Sequence, residues 1–413
     1  MKNDFEKAKE NILKELMERV KESKIDFLKV NEYDFRRSAE GLFKSILKEN
    51  KISFNIHEQE EILGEMVSYL LGLGPIDKLL SDPEISDIMI NGPKQIYVER
   101  KGNLELTDAS FRDNEHLFYL IEQIVSPLGR RATEFEPYVD ARLKDGSRVN
   151  IVSTPVSGIG PVLTIRKYSH HIFSIDDLIG LGTLDSLAAE FLKACVVSRV
   201  NILVCGGAGS GKTTLLNVLA SFIPPQERII TIEDTLELNL PGKHVVPLES
   251  RPPNIEGKGE ITIRDLLRNS LHMRPNRIIV GEVRSSEVLD MIQAMNTGHD
   301  GSMTTLHANS PLDALERLEV LLLMGSPNIS SEVAKRQILS ALDLLVHMER
   351  LTDGSRKIIR ISAMGKSKET LLEDIFIFKE EDKVMKCTGK APLFYPKLKR
   401  RANYICQEFE QGS

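Results

Sequence analysis

The stretch Asn201–Thr214, NILVCGGAGSGKTT, limits what this chain can fold into more than any other. Asn201–Cys205 is a short apolar run closed by glycine and reads as a buried strand. The helix-compatible TTLLNVLASFI that follows stops at Pro224. Between them Gly206, Gly207, Ala208, Gly209, Ser210, Gly211, Lys212 and Thr213, with Thr214 behind, fit the spacing G-x-x-x-x-G-K-[ST]. Glycines at that spacing let backbone N–H groups close on phosphate oxygens with no Cβ in the way. Lys212 then reaches the β- and γ-phosphates, and the Thr213 hydroxyl becomes a Mg2+ ligand. This is a nucleotide-phosphate site.

The surrounding pattern supplies its setting. From Ser174 onward, near-continuous apolar strands alternate with helix-compatible segments: VNILVCG, ERIITIED, NRIIVGEV, GSMTTLHA and DLLVHMERL. Such runs are what a largely parallel sheet covered on both faces requires, so the fold class is α/β, with a RecA-like P-loop domain over 173–413. Residues 62–172 read as a smaller amino-terminal α/β domain. It has a helix from Ile62 broken at Gly72, strands SDIMING and QIYVERKG in a small mixed sheet, a helix over Asp113–Val125, and strands SRVNIVS and PVLTIRKY. Residues 1–61 are rich in Lys and Glu with apolar residues at helical spacing, a helical amino-terminal region. Beyond about residue 352 the chain is charged and strand-like, and its basic PKLKRRANY reads as a solvated terminal helix rather than a binding patch.

A chain of 413 residues with net charge −6 offers no whole-protein attraction to nucleic acid or acidic lipid, and 6% aromatics with no tryptophan argue against a base-stacking channel. No apolar window long enough to span a membrane and no signal-peptide segment is present, so a cytoplasmic location is expected. Cys195, Cys205, Cys387 and Cys406 form no C-x-x-C pair. Neither a zinc site nor a disulfide framework is expected.

A P-loop alone does not separate the classes of nucleotide enzyme, so the acidic strand ends decide. RIIV ends in Gly281-Glu282, which puts a carboxylate where it faces Mg2+ and the attacking water; Gly281 stands where an aspartate is usual, leaving Glu282 as the water-orienting or general-base residue. RIITIED ends in Glu233-Asp234, so Glu233 also approaches the γ-phosphate region. In TGHDGSMTTLHANSP, His299 and His307 flank a strand of small residues and suit a sensor of γ-phosphate loss; their spacing does not suit a metal. Arginines that answer transition-state charge are sought upstream of the motor domain, at Arg142, Arg148 and Arg166 near the strands of the first α/β domain; the basic stretch there also holds Arg130 and Arg131.

Taken together, LGPIDKLLSDPEISDIMINGPKQIYVERKG, DARLKDGSRVN, LTIRKYS, GGAGSGKTT, ITIEDTLEL, RPNRIIVGEVR and MNTGHDGSMTTLHANSP resemble, over about residues 62–350, the ATPases of type II and type IV secretion and type IV pilus systems. The resemblance is strongest to the CpaF-like ATPases of tight-adherence (Flp) pilus assembly. It implies ATP hydrolysis by Lys212, Thr213, Glu233, Glu282 and His307, completed by arginines of the amino-terminal domain (Arg142, Arg148 and Arg166). It also implies ATP and Mg2+ as cofactors and a homohexamer docked on inner-membrane platform proteins, with no direct nucleic-acid partner. RSSEVLD departs from the family pattern, and the tetracysteine insertion of type II members is absent, which favours the pilus or type IV branch.

Overall fold

A computed structural model describes residues 9, 11, 12, 15, 16, 19, 32–128, 136–168, 173–240, 244–253, 257–326, 328–365 and 371–411. Arg130, Arg131 and most of the first helical pattern lie outside the described residues. The chain divides into two compact units, Met1–Ser169 and His170–Ser413.

In the first unit, helices α1 (Glu32–Asn50) and α2 (Ile56–Leu71) bury Phe43, Ile46, Ile62 and Met66 in one cluster. Asn55 and Glu58 form a capping box that starts α2, and the helix ends at Gly72. The boundary expected at residue 62 therefore falls inside a helix whose apolar face is shared with α1, and the helical region belongs to this unit. After α3 (Asp77–Ser81) come β1 (Ile85–Asn91), β2 (Ile96–Arg100), β3 (Asn103–Leu106), α4 (Asn114–Val125), β4 (Tyr138–Arg142), β5 (Arg148–Val152) and β6 (Val162–Arg166). They make one six-stranded sheet in the order β3-β2-β1-β6-β5-β4. Every pairing in it is antiparallel, not mixed as expected, because short turns join most neighbours and leave no length for a parallel crossover. Alternation at period two buries Ile88, Ile90, Val98, Val149, Ile151, Leu163 and Ile165 with Leu117 and Ile121 of α4.

The second unit runs α5 (Ile175–Gly180), α6 (Ser186–Val197), β7 (Ile202–Gly206), α7 (Lys212–Ala220), β8 (Ile229–Glu233), β9 (Val245–Glu249), α8 (Ile263–Ser270), β10 (Arg277–Val280), α9 (Glu287–Asn296), β11 (Met303–His307), α10 (Pro311–Gly325), α11 (Ser331–Ala341) and β12 (Leu344–Arg350). It continues through β13 (Arg356–Met364), β14 (Leu372–Lys379), β15 (Val384–Cys387), α12 (Tyr395–Ala402) and α13 (Gln407–Gln411). Its sheet has the order β15-β14-β13-β12-β7-β11-β10-β8-β9. From β12 to β9 all neighbours are parallel, and β13 to β15 extend the sheet antiparallel. Every residue of β7, β8 and β10 is buried, as central strands covered on both faces must be. One face packs on α6, α7 and α12, the other on α8 to α11. This is the RecA-like α/β arrangement. The basic terminal helix is not merely solvated: α12 sinks Tyr395 and Leu398 into the core, where Phe409 stacks edge-on to Tyr395 and Phe191, and leaves Lys399, Arg400 and Arg401 outside.

Candidate functional site

Four parallel strands end on one edge of the second sheet: β7 at Gly206, β8 at Glu233, β10 just before Gly281-Glu282, and β11 at His307. Carboxyl ends of parallel strands are where such folds hold ligands. His307 stands opposite Gly206, and Gly281 N donates to Ile232 O next to Glu233, so residues far apart in sequence meet through strand register.

The loop after β7 has the geometry its glycines suggest. Gly209 (φ +68°) and Gly211 (φ +94°) take left-handed backbone that a side chain would strain. At Gly206 an added Cβ would lie 2.3 Å from the Met348 carbonyl oxygen of β12. No side chain caps the start of α7, so its first-turn N–H groups face out of the helix with no local acceptor. Lys212 is buried, and its Nζ donates to the carbonyls of Gly207 at 2.8 Å and Gly206 at 3.1 Å and lies 3.2 Å from His307 Nδ1. Burial holds the Lys212 ammonium below the usual lysine range, with Glu282 opposing. Ser210 is turned inward, its Oγ donating to Gly207 O at 3.0 Å; Thr213 and Thr214 are partly exposed on the first turn of α7.

His307 bridges the loop to the acidic strand end. Its Nε2 is 3.2 Å from Glu282 Oε1, while Glu282 Oε2 accepts from Arg284 Nη2 at 2.7 Å. Burial is the main force holding the His307 imidazole below its ordinary value, followed by the Lys212 charge, while Glu282 pulls the other way. The ring is placed between an ammonium and a carboxylate. Glu282 Oε1 is a buried oxygen without hydrogen-bond geometry to any described group, although His307 stands near it.

Glu233 reaches the same edge but is held differently. It is 3% exposed, and its Oε1 accepts the backbone N–H groups of Glu237 at 2.9 Å and Leu238 at 3.0 Å. A Cβ on Gly281 would lie 2.9 Å from Glu233 Cγ. The glycine that replaces the usual aspartate therefore makes room for this carboxylate.

His299 is not part of the cluster. It precedes β11, whereas His307 ends it, so the strand's length separates the two rings; His299 joins the turn after α9, where Ser302 Oγ donates to its carbonyl. Arg142, Arg148 and Arg166 belong to the first unit, where Arg142 pairs with Arg148 and Arg148 with Arg166 across three strands. Cross-strand partners share a face, so the three form one row, ended by Asp87, whose Oδ1 is 3.2 Å from Arg166 Nε.

One contact of the loop went unforeseen in the sequence. Arg356 starts β13 and donates from Nε to Gly209 O at 3.0 Å. Its only local mark is the turn Leu351–Ser355, a Thr-Asp-Gly-Ser hairpin signature that returns the chain beside β12.

No group of three or more His, Cys, Asp or Glu side chains among the described residues could hold a metal alone. The residues do fit Mg2+ of the P-loop kind, which is held by one hydroxyl, phosphate oxygens and water: Thr213 sits on the uncapped helix turn, and the Glu282 Oε1 atom is buried without a hydrogen bond.

A family model described as Type II/IV secretion system protein matches residues 70–384. The conjugal transfer protein TrbB of Rhizobium radiobacter is 32% identical over 281 residues, covering 67% of this chain and 83% of that one. The type IV secretion system protein PtlH of Bordetella pertussis is 33% identical over 297 residues, covering 66% and 87%. Among solved structures, the pilus retraction motor PilT with bound ADP superposes with a TM-score of 0.53 at 19% identity, covering 81% of this chain and 88% of that one, a likeness of fold.

Proposed function

The chain belongs to the type II/IV secretion system protein family, and we propose that it is a motor enzyme that hydrolyses ATP to ADP and phosphate. The observation that carries this reading is the line of contacts Lys212, His307 and Glu282 at the ends of neighbouring parallel strands, beside an uncapped helix N-terminus. When bound, Mg2+ neutralises charge on the β- and γ-phosphate oxygens. Thr213 is the residue that holds it. The amides of Gly207 to Thr213 cradle the phosphates, and Lys212 exchanges the carbonyls of Gly206 and Gly207 for phosphate oxygens. Glu282 orients the attacking water and accepts its proton, and Arg284 fixes the carboxylate through its other oxygen. His307 reports the γ-phosphate, because a lysine that turns to phosphate leaves its Nδ1. Glu233 supports the base from the next strand end. Arg142, Arg148 and Arg166 supply positive charge to the transition state from the chain's own first unit or a neighbour's.

The machine served is a pilus or type IV secretion apparatus. The match in the P-loop, aspartate and histidine segments supports the CpaF-like, tight-adherence branch. The relatives named for conjugal transfer and type IV secretion support the secretion branch equally. In either, the chain works as a homohexamer on inner-membrane platform proteins, from the cytoplasmic side; among the described residues no helix is long and apolar enough to cross a membrane. The test is Glu282→Gln in the full chain, followed by ATP-analogue binding and phosphate release. Binding stays within threefold and release slows about 100-fold or more. Equal release rates would remove Glu282 from the reaction.

A further inference from the structure

The order of the strands gives the two ends of a bound nucleotide different neighbours. In the second sheet β7 stands between β11 and β12, with β10 beyond the first and β13 beyond the second. His307 ends β11 and Glu282 follows β10, so the groups that face the γ-phosphate in the proposed reaction lie on one side of β7. A phosphate chain gripped by the loop after β7 is extended, and its nucleoside end therefore leaves on the other side, toward β12 and β13.

The hairpin that joins those two strands brings two arginines to the loop. Arg350 ends β12, Arg356 starts β13, and the two stand opposite each other. A Cβ on Gly209 would lie 3.8 Å from Arg350 Nη1, and one on Gly211 would lie 3.2 Å from Arg356 Cδ. Arg356 is fixed there at one atom, its Nε donating to Gly209 O at 3.0 Å, while the side chain stays exposed. An Nε–H bond lies in the plane of the guanidinium, so this anchor sets the plane and covers neither face. The nearest acid along the chain, Asp353, is engaged in the turn, where its Oδ1 accepts the Ser355 N–H at 2.9 Å.

A strap runs beside the hairpin. After α5 the Gly182 carbonyl accepts from Lys357 Nζ at 2.5 Å and the Thr183 carbonyl accepts the Ile358 N–H at 2.9 Å, which holds the strap along the edge of β13 next to Arg356. Leu181, the residue before these two, is 62% exposed.

We propose that the β12–β13 hairpin is the nucleoside side of the site and that the base stacks on Arg356. A planar guanidinium already anchored at one nitrogen offers a purine a flat cationic face with little further loss of side-chain freedom. Leu181 supplies apolar cover from the strap. The assignment rests on the nucleotide reading of the loop and adds to it the group that tells a nucleotide from a bare phosphate chain.

The experiment titrates the full chain calorimetrically with Mg·ADP and with Mg·triphosphate, the inorganic chain being measured also by its displacement of ADP. Arg356→Ala weakens ADP about tenfold and inorganic triphosphate by no more than about threefold, the share of the lost bond to Gly209. Arg356→Lys keeps the charge and a donor for Gly209 O but has no flat face. It binds triphosphate as the unaltered chain does, and ADP at least about threefold more weakly. Equal losses for the two ligands would make Arg356 only a fastener of the loop, and full recovery of ADP affinity by lysine would make charge the cause; either result overturns the proposal, as does no loss at all. An unaltered chain that binds neither ligand would overturn the nucleotide reading itself, and this assignment with it.

Discussion

At Gly281 the missing side chain decides where a carboxylate stands. A methyl group there would press on Glu233 Cγ from 2.9 Å, so Gly281→Ala should displace Glu233, lower the turnover of ATP about tenfold or more and leave nucleotide affinity nearly intact; unchanged turnover would mean that Glu233 is not needed in its place. Arg356 offers a complementary measurement. Its hydrogen bond to Gly209 O ties the loop to the start of β13, and Arg356→Ala should weaken ATP-analogue binding about two- to tenfold, read by calorimetry. Lys212, Thr213 and Glu282 were legible because their chemistry is written in local spacing and a strand end. Arg356 was not, since its approach depends on β13 returning beside β12, which itself pairs with the P-loop strand. His299 misled for a related reason: sequence proximity to His307 says nothing about the two ends of an extended strand.

Among the elements, five of the six parallel strands declared themselves through unbroken apolar runs, and the structure keeps each of them: VNILVCG, ERIITIED, NRIIVGEV, GSMTTLHA and DLLVHMERL; β9, a half-exposed edge strand interrupted by Pro247, did not. The antiparallel extension β13–β15 was visible only as strand-like sequence, because pairing partners on a sheet edge are not encoded in alternation alone. The same limit hid the cohesion of α1 and α2, whose shared core shows only in three dimensions. In α4, Asp113 caps the helix and His116 is buried against Phe111, with its Nδ1 accepting the Arg112 N–H at 3.3 Å. Burial, then the Arg112 charge, lowers the His116 imidazole to about 4, against 6.5 for an ordinary one. Between those values the unfolded chain takes up a proton that the folded one refuses. Stability is therefore full above pH 6.5 and falls as pH drops toward 4, by on the order of 3 kcal/mol. Hydrogen exchange of the α4 amides, corrected for intrinsic rates, should show that loss, and His116→Gln should flatten it; an equal slope in the variant would assign the effect to other groups.

For the whole molecule, the two units divide the proposed labour: the second holds the phosphate loop and acids, and the first presents the row Arg142, Arg148 and Arg166. A fragment of residues 170–413 should therefore bind ATP analogue yet lose most hydrolysis, and Arg148→Ala in the full chain should reduce turnover up to about 10³-fold without changing affinity. A fully active fragment would show that the arginines serve another purpose. Light scattering of the full chain with analogue should give six times the 46.4 kDa chain mass. The most direct measurement is phosphate release from Mg·ATP by the full chain and by Lys212→Ala. Saturable release by the former and none by the latter is the predicted result; equal release from both, or no release from either despite tight nucleotide binding, would contradict the account.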